Sequence, residues 1–148
     1  MSRSSWSAVA GAALLAATLL VSTAGARSKS FHFTEAVSGA QISATQAVFK
    51  VHDSRAGDGA GVQTVTLHGL SGTDTDTTYY LGASASSHGF FTIGSPDAHG
   101  IAKLTGHGRD TGGTGKLQGF VSTYRYTGTF NVKTLVFTVT ISGVGSTA

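Results

Sequence analysis

The 148-residue chain contains no cysteine, so disulfides, thiol nucleophiles, thiolate metal sites and a lipid-modified cysteine are all excluded. Proline occurs once and charged residues make up 11%, which rules out both a proline-rich spacer and a charge-driven disordered tail. Glutamate is represented by Glu35 alone. Ten Lys and Arg against seven Asp and Glu leave a formal charge of +3, with Arg27 and Lys29 the nearest approach to a basic cluster. Phosphate-backbone binding needs several bases on one face, so nucleic acid is not an expected partner. The longest apolar run, 8–21, is shorter than the roughly 20 residues that cross a bilayer. It follows Arg3 and precedes Ala24-Gly25-Ala26, the small-x-small pattern of a cleavage site. Residues 1–26 therefore read as a secretory signal peptide. Residues 27–148 are left as one exported domain, without stable membrane insertion, held by burial and hydrogen bonds alone.

Glycine, by contrast, is abundant at 21 residues, and Val, Ile, Thr, Phe and Tyr fall in short runs between Gly, Asp and Ser. No window keeps a helical apolar stripe. The clearest strand is 133–143, where Leu135, Phe137, Val139 and Ile141 alternate with Val136, Thr138, Thr140 and Ser142. In the first segment Phe31, Phe33 and Val37 share a face with Glu35. Further strands are expected at 41–52, 62–70, 77–83, 89–93, 101–108 and 117–130, the last broken near Gly119 or Gly128. Turns are expected at 53–61, 71–76, 95–100 and 109–115. About eight short strands imply an antiparallel sandwich or barrel. Closure hides every edge in a chain with one proline to blunt them, which favours an eight-stranded antiparallel β-barrel.

Two motifs resemble a known superfamily. Residues 31–39, FHFTEAVSG, resemble the first strand of dirigent proteins, and 111–120, TGGTGKLQGF, resemble the glycine turn shared by dirigent proteins and allene oxide cyclases. The resemblance implies an all-β, eight-stranded antiparallel barrel, often a homotrimer, with an apolar lumen. That lumen guides coupling or protonation of phenolic intermediates, or ring closure of an unsaturated epoxide, without metal or organic cofactor. Glu35 stands where dirigent proteins carry a pocket aspartate, and Thr34 replaces the histidine before it. Phe120, Val121 and Ser122 occupy the place of an Ala-Arg-Gly run, so the pocket arginine of those proteins is missing.

Glu35 is accordingly the candidate catalytic acid, a carboxyl that burial between Phe31 and Phe33 would hold protonated near neutral pH. Phe31, Phe33, Tyr79, Tyr80, Arg125 and Phe137 are the candidate ligand-binding residues. Tyr79 and Tyr80 face opposite sides of a strand, so one of them meets the lumen. Arg125 shares parity with Val121 and would place a guanidinium beyond the missing arginine, whereas Tyr124 and Tyr126 lie on the other face. The six histidines have no metal-ligand spacing. Asp74-Thr75-Asp76 reads as a solvated turn rather than a calcium loop. No G-x-S-x-G elbow marks a hydrolase, and Gly112 to Lys116 lack the spacing of a phosphate loop. Two functions remain open: a secreted barrel that binds a small hydrophobic molecule and guides its cyclisation or isomerisation, or a packed structural barrel that self-assembles.

Overall fold

Alternation with a period of two dominates the chain from Ser30 onward, and every such segment is a strand. The computed structural model describes residues 29–147. The signal-peptide reading, 1–26, lies outside the described residues. Eight strands follow in order: β1 (Ser30–Gln41), β2 (Gln46–Asp53), β3 (Gly57–His68), β4 (Ser71–Tyr80), β5 (Ala83–Ile93), β6 (Ile101–Gly115), β7 (Val121–Asn131) and β8 (Val136–Ser146). Each pairs antiparallel with its successor and β8 closes onto β1, making an up-and-down barrel with no free edge. Both ends of the described chain and the turns after β2, β4 and β6 gather at one mouth. The turns after β1, β3, β5 and β7 lie at the other.

Several expected boundaries shift, for one common reason: glycine and aspartate sit inside strands as well as between them. The turn expected at 71–76 is the first half of β4, where Thr73, Thr75 and Thr77 supply the β-branched outer face. The connection before it shrinks to Gly69-Leu70, with Gly69 at φ 65°. The turn at 53–61 shrinks to three residues, 54–56, and all of 109–115 belongs to β6. Opposite Ser86 and Ser87 the β6 register skips Thr111, a bulge that resets which face points inward before the strand ends. The segment 117–130 turns through 116–119 before β7 begins, and Gly128 does not interrupt that strand. The last strand starts one residue after Leu135, which sits in the preceding turn at φ 61°.

Most aromatic rings sit at inward-facing positions, and almost every inward ring has a glycine as its cross-strand neighbour. Phe33 pairs with Gly143, Phe49 with Gly61, Phe91 with Gly72, Tyr80 with Gly59, Tyr126 with Gly106 and Tyr124 with Gly108. A methyl added at any of these glycines would overlap the neighbouring ring. The rings thus occupy the volume that missing β-carbons release along the wall, leaving the barrel axis open.

Candidate functional site

The interior is a cavity of about 680 Å³ lined by every strand. Toward the mouth opposite the termini it is aromatic: one cross-strand row runs Phe130, Phe137, Gly39, Phe49 and Gly61 over five neighbouring strands. At the terminal mouth Phe31 and Phe33 pack on Phe120, with ring centroids 6.0 and 6.1 Å apart, and the Arg55 guanidinium lies 4.0 Å over Phe31. Lys29, Arg55 and Lys116 stand at this rim.

Between these zones lie five of the chain's seven acids: Glu35, Asp53, Asp74, Asp76 and Asp110. Glu35 and Asp53 are cross-strand partners on β1 and β2. Asp76, Ser87 and Asp110 form one row over β4, β5 and β6. Hydroxyls and amides satisfy most of them: Ser87 Oγ donates to Asp76 at 2.5 Å, Ser122 Oγ donates to Asp110, and the Arg55 amide donates to Asp53 at 2.6 Å. Tyr126 donates its phenol to Asp74 at 3.4 Å and Tyr124 donates to Ser87 at 3.1 Å. None of the five has a cation within 4.0 Å among the described residues. The ion pair that is present joins His52 and Asp58 on the outer wall.

Burial without ion pairing shifts four of them, Glu35, Asp74, Asp76 and Asp110, upward. Glu35 is pushed up to about 9, first by desolvation and then by the neighbouring Asp53 carboxylate. Desolvation raises Asp74 and Asp110 to about 6, the latter against the Ser122 hydrogen bond, and raises Asp76 against its hydrogen bonds from Ser87 and Thr78. Tyr80, Tyr124 and Tyr126 are driven upward by the same burial, so their phenols stay protonated. At neutral pH the lumen therefore holds Glu35 as a protonated carboxylic acid together with Asp74 and Asp110, which titrate at about 6, a combination suited to giving and accepting protons.

Of the residues singled out from sequence, Phe31, Phe33, Glu35, Tyr80 and Phe137 meet in this cavity. Tyr79 and Arg125 do not. Tyr79 is 60% exposed on the outer wall, because strand parity gives the lumen to Tyr80. Arg125 also faces outward, beside its cross-strand neighbour His107, because β7 turns Tyr124 and Tyr126 inward. Asp74 and Asp76, read as a solvated turn, are lumenal acids of β4. The period-two series Asp74, Asp76, Thr78, Tyr80 carried that signal. Asp53 and Asp110 were hidden at a strand end and beside a bulge. Among the described residues, no three His, Asp or Glu side chains converge to hold a metal ion.

Comparison with protein-family models, with curated proteins and with solved structures gave no match to this chain.

Proposed function

We propose that this barrel is an exported protein that binds a small, largely hydrophobic molecule in its lumen and supplies it with a proton from Glu35, promoting cyclisation or isomerisation. One observation carries the reading: a protonated carboxyl set into an aromatic-lined cavity of about 680 Å³, within the usual size of a small-molecule site. That volume weighs against the packed structural barrel, whose interior would be filled by side chains. The motifs resembling dirigent proteins and allene oxide cyclases point to the same class of chemistry, with Glu35 as the acid and no arginine in the family position.

The test uses N-phenyl-1-naphthylamine, a neutral fluorophore that brightens in apolar surroundings. Wild-type protein binds it, and Ala85→Trp, which thrusts an indole into the lumen from β5, abolishes binding while the circular dichroism spectrum stays strand-rich. Equal binding by both would place the fluorophore outside the lumen and overturn the reading. With a lipid or phenolic substrate captured from an extract, Glu35→Gln retains binding and loses turnover. Export is checked separately: protein recovered outside the cytoplasm begins at Arg27, and retention of Met1 would refute cleavage.

A further inference from the structure

We propose that the molecule held in the lumen is an organic cation, a hydrophobic amine or quaternary ammonium whose charge lies between Asp76 and Asp110 and whose apolar part rests on the phenylalanine rings. The inference rests on the lumen-binding reading and adds the ligand's charge to it.

The argument begins with how charge is partitioned across the wall. Five carboxyl groups line the cavity, and the basic side chains that reach it, Lys29, Arg55 and Lys116, stand at one rim. No lumenal carboxylate is ion-paired among the described residues, although burial makes an uncompensated charge costly. A positive ligand relieves that cost at several acids together; a neutral one leaves it in place, and an anion adds to it.

The wall around the acids favours a diffuse cation over a compact one. No three of the described acids and histidines converge closely enough to ligate a metal ion, so a point charge has no coordination shell here. Tyr80, Tyr124 and Tyr126 line the same cavity as the acids, and Phe49 and Phe91 continue the aromatic wall beyond them. Aromatic faces attract alkylammonium groups, and most strongly where water is excluded. A cavity that is aromatic along its length and acidic in its middle thus matches a molecule that is apolar along its length and positive at one point.

Three isosteric competitors separate the possibilities: (2-naphthylmethyl)trimethylammonium, neutral 2-neopentylnaphthalene and anionic 2-naphthylmethanesulfonate, each displacing N-phenyl-1-naphthylamine from wild-type protein. The cation should displace it at a concentration at least tenfold below that of the neutral isostere. Its binding should release protons, read as a heat that changes with buffer ionisation enthalpy at pH 6.5. Asp76→Asn and Asp110→Asn should weaken the cation at least fivefold more than they weaken the neutral isostere, with an unchanged strand-rich circular dichroism spectrum certifying folding. Equal displacement by cation and neutral isostere overturns the proposal and leaves the lumen a charge-blind hydrophobic site. Preference for the sulfonate overturns it in favour of a headgroup held at the Lys29, Arg55 and Lys116 rim. If neither the fluorophore nor the cation binds, calorimetry included, the lumen-binding reading falls with it.

Discussion

Tyr126 on β7 gives its phenolic hydrogen to Asp74 on β4, two strands that are not neighbours in the sheet. The reach is possible because Gly106, the β6 partner of Tyr126, has no side chain beneath the ring. Tyr124 behaves alike, crossing Gly108 of β6 to donate to Ser87 on β5. Each phenol thereby braces the wall from inside and holds a hydroxyl among the acids.

Gly108→Ala tests this brace. A β-carbon there would lie 2.6 Å from the Tyr124 hydroxyl and 2.7 Å from the His88 carbonyl, so the ring must leave Ser87. The expected loss is about 1–3 kcal/mol in denaturant unfolding. Gly94→Ala is the control: its nearest neighbours are 3.6 Å away, and no loss beyond a few tenths of a kcal/mol is expected. Equal effects at the two positions would show that the ring does not depend on the glycine.

Stability should fall as pH rises. Glu35 moves from 4.5 to about 9, and Asp74 and Asp110 from 3.8 to about 6, so the folded state binds more protons than the unfolded chain between those values. The contribution of each neutral acid is complete below its unfolded pKa and is lost as pH passes through the folded one. Thermal unfolding should therefore show a higher Tm at pH 4.5 than at pH 8. Glu35→Gln removes the cost of protonating this group, about 3 kcal/mol at pH 7, and should raise Tm there by on the order of 10 °C. At pH 4 it should change little; a Tm independent of pH in both proteins would contradict the buried-acid account.

Leu135 occupies the left-handed region at φ 61° in the turn between β7 and β8, where its amide donates to the Asn131 carbonyl at 2.8 Å. A β-branch-free side chain tolerates this at a cost of about 1–2 kcal/mol relative to right-handed geometry. Because the side chain is 41% exposed, Leu135→Gly sacrifices little packing and should stabilise the barrel by about 0.5–1 kcal/mol. Destabilisation of that size instead would mean that the leucine anchors the turn by contact.

Arg125→Ala and Tyr79→Ala lie on the outer wall and should leave fluorophore affinity unchanged, with stability within about 0.5 kcal/mol of wild type. A tenfold loss of affinity in either would contradict the assignment of faces.

The closed eight-stranded barrel was legible because alternation in 31–37 and 136–141 is uninterrupted, and a strand-rich chain with one proline has exposed edges to hide. The inward face of β1, with Glu35 among Phe31, Phe33 and Val37, could be read by the same parity. Asp74 and Asp76, set between threonines, follow turn statistics unless their period of two is weighed first, and Asp53 and Asp110 were hidden at a strand end and beside a bulge. Glycine misled in the same way. Gly59 and Gly61 are spaced two apart as inward wall positions of β3, yet they fall in the turn expected at 53–61, because turn propensity alone interprets such glycines as loop. Facing was undetermined for Tyr79 against Tyr80, and for Arg125 against Tyr124, because a period of two says which residues share a side but not which side is interior.

Folding the acids inward also changes what solvent meets. Away from the lumen the described chain retains Asp58 and Asp97 as its acids, against five lysines and arginines, three more at the rim, and six histidines. A sequence that counts +3 is thus presented to a resin bead, an anionic sugar or a lipid headgroup as a strongly basic particle, its neutralising charges shielded behind the wall. Unfolding would turn this arrangement inside out, so native protein should elute from a cation exchanger at higher salt than the same chain in urea.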